Sequence, residues 1–286
     1  CSGIQVRNIS IAHTDIGMEI AFSNVKIYNC NVSNSDIGIT FLESSNNTVS
    51  NCNVLNNFEG IKLVHSQTNV IFKCNILKNF RGIYFDSSPN NKIFDCKISN
   101  SSGEGIWLSR SPNNMVLNCE ISNSWGKGIW LSSSSNKIFN CSIINNDEGI
   151  FIASSDTEVS SCYISKNRCG IYVFGEGNII HHNIFVGNMK NAGSYSRFYN
   201  QWDDGINEGN YWDDYNGSDE NGDGIGDTPY LFYGGKDRYP LIYKPSYPDL
   251  NPPELSIEKP YQGYLHLFNR YFIPTYSGET VILSIN

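Results

Sequence analysis

Apolar residues in this chain occur in short alternating runs, and the runs repeat. Between residues 24 and 177 a phrase of the form Asn-x-Ile-x-x-Cys-x-Ile is followed, after a polar turn, by Gly-Ile-x-Leu or a close variant. Residues 69–76, 91–98 and 136–143 are three renderings of the first phrase. Cys30, Cys52, Cys74, Cys96, Cys119, Cys141 and Cys162 follow one another at steps of 21 to 23 residues, and Gly17, Gly38, Gly60, Gly82, Gly105, Gly128, Gly149 and Gly170 keep nearly the same step. A fixed period of this size decides the architecture before local propensity does. Inside each unit the apolar period is two, with no stripe at helical spacing, and the connections are Asn, Ser, Pro and Gly. The sequence therefore predicts an all-β chain folded as a right-handed parallel β-helix, one coil per repeat. Leucine-rich repeats have a similar period, but their leucine ladder and helical return are missing.

Stacked coils lie about 4.8 Å apart, so each recurring position becomes a stripe in space. Ile39, Ile61, Ile83, Ile106, Ile129, Ile150 and Ile171 are expected to point inward, as are Phe41, Leu63, Phe85, Leu108, Leu131, Ile152 and Val173 two places later. Asn24, Asn47, Asn69, Asn91, Asn114, Asn136 and Asn178, with Thr157 in one gap, are placed at a bend where side-chain amides satisfy backbone groups. Asn57, Asn79, Asn146 and Asn167 read as a second such ladder. The seven ladder cysteines share one inward position with parallel Cβ vectors, whereas a disulfide wants Cβ atoms near 3.8 Å and a dihedral near 90°. They are expected to be buried free thiols; the state of Cys1 and Cys169, outside the ladder, is left open.

Position by position, the chain divides into a β-helix at 1–190, an aromatic and Asp-rich cap at 191–243, a proline-rich linker at 244–254 and a strand-forming segment at 255–286. Gly3-Ile4-Gln5-Val6 already carries the repeat, so the chain is expected to start inside a coil with something ahead of it; a lipidated Cys1 is the alternative. The repeat is placed to end near Val186, with His182 in the cysteine position. Residues 255–286 read as the opening strands of an Ig-like domain.

A family resemblance enters at the cap. The segment Asn200-x-Trp202-Asp203-Asp204-Gly205, then Gly209-Asn210-Tyr211-Trp212-Asp213-Asp214-Tyr215 and Asp223-Gly224-Ile225-Gly226-Asp227-Thr228-Pro229-Tyr230, resembles the end of NosD-like and carbohydrate-binding/sugar-hydrolase (CASH) repeat domains of archaeal cell-surface proteins. The likeness covers roughly residues 5–242. It implies a secreted β-helix and an extracellular, cell-surface location. The family's usual inward asparagine is replaced here by cysteine.

Net charge is −8, with no basic tract, which argues against nucleic acid as a partner, and no run reaches the roughly 20 apolar residues of a membrane span. Two constellations carry candidate chemistry. Asp219, Asn221, Asp223, Ile225 and Asp227 follow the alternate-oxygen order of a Ca²⁺ loop without its final bidentate acid, and Asp213 or Asp214 is expected to complete a structural Ca²⁺ site. Tyr84, Trp107, Trp130, Phe151 and Tyr172 occupy the outward place of Gly-Ile-x-Leu, so five aromatics line one face. Such a rail suits a glycan, contact with another surface-protein chain or self-assembly, or a simple cross-strand ladder. Beside it Glu59, Arg81, Glu104, Lys127 and Glu148 alternate in sign, which reads as a register device. No carboxylate cluster, trusted histidine metal spacing or Ser/His/Asp pattern stands out, and catalysis is not evident. The reading is a structural or glycan- or protein-binding module; the alternatives are a polysaccharide-acting enzyme of lyase, hydrolase or epimerase type and a NosD-like copper-delivery accessory protein.

Overall fold

The computed structural model describes residues 3–21, 23–195 and 199–246. The chain divides into a unit at Cys1–Pro245 and a second at Ser246–Asn286. Cys1, most of the proline-rich stretch and the 255–286 segment lie outside the described residues.

The first unit is a parallel β-helix. Three sheets run its length: two of nine strands and one of ten. Each coil contributes two strands of three residues, such as Val70–Phe72 and Asn75–Leu77, and one of up to six, such as Arg81–Asp86. Corners between them are made by single residues in the left-handed region. Asn51, Lys73, Asp95, Asn118 and Asn140 each precede a ladder cysteine with φ between 50° and 53°. Asn and Asp tolerate this region best among residues with a Cβ, which accounts for the asparagine content of the turns.

Coils stack in register: Ile83, Tyr84 and Phe85 pair with Ile106, Trp107 and Leu108. Both inward stripes predicted for the third face are fully buried, as are the described ladder cysteines, which are all free thiols. Ladder glycines allow this spacing because a Cβ at Gly60 would stand 2.5 Å from the carbonyl oxygen of Gly82.

Amide ladders tie the coils together. The Asn69 side-chain oxygen accepts the Asn47 N–H at 2.9 Å, and Asn91 does the same for Asn69 at 2.7 Å. The second ladder forms through Asn57, Asn79, Asn146 and Asn167. A third runs through serines: Ser66, Ser88, Ser111 and Ser133 each accept the N–H of the serine one coil back.

Two register assignments need correction. Val25, not Asn24, stands in line with Asn47, and its N–H is the group that Asn47 receives; Asn24 is the left-handed corner residue with φ 63°. Likewise His182 is the corner residue, and Asn183 occupies the cysteine place, accepting the Cys162 N–H at 2.9 Å. The inward asparagine of the family thus returns at the end of the helix. Asn210 and then Asp237 continue the column.

The repeat also runs further than Val186. Lys190–Ser194 adds a strand beside Cys169–Val173, and Tyr211–Trp212 adds one beside Ile184–Val186. Closure of the core is aromatic: Phe185 stacks on Trp212 at 4.3 Å and Trp212 on Tyr230 at 4.4 Å.

Candidate functional site

The sequence-predicted rail forms in register on the third face. Ring centroids lie 4.8 Å apart for Tyr84–Trp107 and 4.5 Å for Trp107–Trp130, with the two indoles within 6° of parallel. Phe151 then meets Trp130 edge-on at 77°, and Tyr172 follows at 6.1 Å. All five side chains are half-buried. Stacking of this kind uses the ring faces on one another and turns the edges to solvent. Cations occupy what remains: the Arg81 guanidinium lies 4.6 Å from the Trp107 ring, and the Lys127 amine 4.9 Å from Trp130. The alternating charges close as ion pairs, Arg81 with Glu59 at 3.2 Å and Glu104 at 3.3 Å, Lys127 with Glu148 at 3.7 Å.

A second feature adjoins the rail. At the corner before the third face, Trp125 is 83% exposed and Met189 is 82% exposed. Between them lies a groove of about 470 Å³, floored by Asn145, Asn167 and the Asp147–Arg168 ion pair and edged by Lys166. On the far side of Arg168 a smaller cavity of about 150 Å³ lies between Tyr172 and Tyr233. Sequence reasoning missed the groove because its corner column runs Phe58, Phe80, Ser102, Trp125, Asp147, Arg168 and Met189 in successive coils, with no residue type kept beyond the first two. The available signal was Trp125 itself, an unpaired indole in a Ser-Trp-Gly turn.

The paired cap acids have structural partners. Arg238 grips Asp203 through Nε at 2.8 Å and Nη2 at 2.6 Å. Burial works against the charge on Asp203, but the Arg238 and Gly205 hydrogen bonds outweigh it and hold the carboxyl below its usual range. Asp204 receives the N–H groups of Ile206, Asn207 and Glu208. Asp237 is buried and pushed up to about 6 by desolvation, against hydrogen bonds from Asn210, Trp212 and Tyr239.

In the Asp219–Asp227 loop, Asp219 accepts the N–H groups of Gly222, Asp223 and Gly224. Asp223 accepts that of Ile225, which leaves the Ile225 carbonyl as its contribution to the predicted donor set, and Asp227 accepts that of Glu220. Asp213, named with Asp214 to complete the shell, bonds to Gly187 and Asn191, and Asp214 to Asn191 and Tyr230.

His181 and His182 turn their Nδ1 atoms toward each other, while His182 Nε2 lies 2.8 Å from Glu208. Burial and the neighbouring His182 lower the His181 pKa. Among the described residues, no three His, Cys, Asp or Glu side chains gather closely enough to hold a metal ion. The ladder thiols face the apolar core, where desolvation raises Cys119 and Cys141 well above the ordinary range.

With this geometry in place, comparison with known proteins gives the class. The chain belongs to the family described as "Periplasmic copper-binding protein (NosD)", whose pattern matches residues 1–148 and again 64–217. No curated protein matches the sequence. Among solved structures, it is similar to the A-module of the Azotobacter vinelandii mannuronan C-5 epimerase AlgE4, with TM-score 0.55, 13% identity and coverage of 69% of this chain and 61% of that one. It is also similar to an alginate lyase from Paenibacillus sp. str. FPU-7, with TM-score 0.53, 13% identity and coverage of 71% and 77%. A third likeness is to a double-mutant tailspike protein of E. coli bacteriophage HK620 in complex with pentasaccharide, with TM-score 0.51, 13% identity and coverage of 67% and 47%. At these identities the likeness is one of fold. Among the described residues no cluster of three His, Cys, Asp or Glu side chains offers a copper site, so no metal chemistry is derived from the family.

Proposed function

We propose that this domain is a glycan-binding module of an extracellular or periplasmic surface. The observation that carries the reading is the Trp125 groove: an exposed indole beside a floor of asparagine amides and a bidentate ion pair, open to solvent and continuous across Arg168 with the end of the rail. Sugar rings present apolar C–H faces and hydroxyl edges, and this combination of one free ring face with fixed polar groups matches both. The periplasmic family and the polysaccharide-acting and saccharide-bound neighbours support the location and the ligand class.

Binding is favoured over catalysis because four outward acids of the coils are held by cations. Asp86 pairs with Arg110, Asp147 with Arg168, Glu120 with Lys97 and Glu158 with Lys137. A general acid or base needs reach to substrate and a free protonation state. The test is a glycan array followed by titration calorimetry. Trp125→Ala is expected to weaken the best ligand by up to roughly tenfold, since contact with one aromatic ring is worth about 0.5–1.5 kcal/mol. Absence of binding to any polysaccharide, or chain cleavage of a uronic-acid polymer, would overturn the reading.

Calcium in the Asp219–Asp227 loop is a separate proposal; its acids form no preassembled cluster, so it rests on the order of side-chain and carbonyl oxygens, Asn221 and Ile225 included, and on Gly224 at φ 86°, where the loop turns sharply. Its role is to pin the cap. Calcium is expected to raise the melting temperature and EDTA to reverse the rise; a melt indifferent to both refutes it.

A further inference from the structure

Along the stripe before each ladder glycine the charges run Glu59, Arg81, Glu104, Lys127, Glu148, and register then brings Cys169 and Lys190 into line. The alternation therefore breaks at a neutral thiol, and Lys190 meets no acid. Among the described residues neither Lys190 nor Lys166 has an ion-pair partner. Lys166, Arg168 and Lys190 line the groove and the pocket with only Asp147 and Glu148 as acids, three cations against two. A local excess of this sign is unexpected in a chain with net charge −8.

The same coil step opens a cavity. Ile171 and Tyr172 are followed in register by Ala192 and Gly193, so the inward stripe and the rail both shrink to small residues at once. No larger residue fits at 193, where a Cβ would stand 2.9 Å from the Tyr172 ring. Tyr233, which bridges to Gly193, supplies the opposite wall, and about 150 Å³ remains between the two tyrosines. Glu148 also borders this space. Its Oε2 is buried without a hydrogen-bond donor, the nearest cation being Lys127 at 3.7 Å.

We infer that this pocket binds one carboxylate-bearing sugar of an acidic polysaccharide. Lys190 receives the ring carboxylate, Glu148 Oε2 accepts a sugar hydroxyl, and the ring lies between Tyr172 and Tyr233. The rest of the polymer follows the Trp125 groove, which meets the pocket across Arg168. The inference rests on the glycan-binding reading and narrows it to polyuronates.

Calorimetry of the full chain with polyuronate oligomers, their carboxyl-reduced counterparts and a sulfated neutral polymer tests it. Polyuronate is expected to bind tighter than its reduced form by roughly tenfold or more, the worth of a charge-assisted hydrogen bond. Lys190→Glu is expected to abolish that preference; Lys190 is exposed and has no ion-pair partner among the described residues, and an unchanged melting temperature checks that the variant folds. Equal affinity for the two forms, an unaltered preference in Lys190→Glu, or equally tight binding of the sulfated polymer overturns the inference. In each of these cases glycan binding that Trp125→Ala weakens leaves the broader reading standing. Failure of every polymer defeats both.

Discussion

A methyl group on Gly128 would stand 2.6 Å from the Gly149 carbonyl oxygen and 3.0 Å from the Asn146 amide nitrogen. Its φ is not in the left-handed region, so an alanine there meets no backbone objection. Sterics alone keep the glycine, because backbone atoms of the next coil cannot yield without breaking the sheet. Gly128→Ala is expected to destabilise the domain by about 1–3 kcal/mol, the usual cost of overpacking, with a lower urea midpoint at unchanged slope. Gly222→Ala is the comparison: it has open space but φ 75°, and it is expected to cost only about 1 kcal/mol. A loss at Gly128 no larger than that at Gly222 would show that the close contact does not select the ladder glycine. Residues at this scale are also where the sequence misleads. Asn46 and Asn47 are neighbours, one a left-handed corner and the other an inward cap, and residue type does not distinguish them. Coil lengths of 21 to 23 then let a count slip by one, as it does at Asn24 and His182.

At the scale of the element, strands and stripes were legible because two periods coincide. Alternation gives the face, and the repeat gives the neighbour in the next coil. Inward isoleucines, cysteines and both asparagine ladders follow from that pair of facts. The serine ladder did not, since serine fills so many turns that its recurrence at 66, 88, 111 and 133 carries little contrast. The rail was legible as a row of side chains but not as a set of ring planes. Whether Trp130 stacks on Trp107 or stands edge-on to Phe151 depends on rotamers chosen by packing and by the Lys127 amine between them. A sequence shows that aromatics coincide; it does not show that they occupy one another's faces. That difference moves the candidate sugar platform from the rail to Trp125, which among the described residues has no ring neighbour to consume its face.

The whole molecule explains both the hidden pocket and the silent thiols. The pocket draws on Glu148, Tyr172, Lys190 and the cap residue Tyr233, and it exists only because Lys190–Ser194 continues a repeat whose phrase has already lost its motif. The thiols are a single column through consecutive coils, and each coil contacts its neighbours along the axis, so opening is a property of the stack. The thiolate is the species that attacks an alkylating reagent. Desolvation keeps Cys119 and Cys141 protonated far above neutrality and pushes Cys169 up to about 11. Modification of the folded protein must therefore wait for opening at the ladder, whereas Cys169, buried but lining the pocket, lies nearer to solvent and is limited more by ionisation. Peptide-resolved mass spectrometry after iodoacetamide treatment at neutral pH is expected to show the ladder cysteines reacting on the order of 10³-fold slower than in urea, in step with the unfolded population. Between pH 7 and pH 9 the Cys169 rate is expected to rise roughly tenfold per pH unit, as its thiolate fraction does below the pKa. Rapid, stoichiometric labelling of Cys119 in the folded chain would mean that the column is accessible and that the β-helix core opens locally without unfolding.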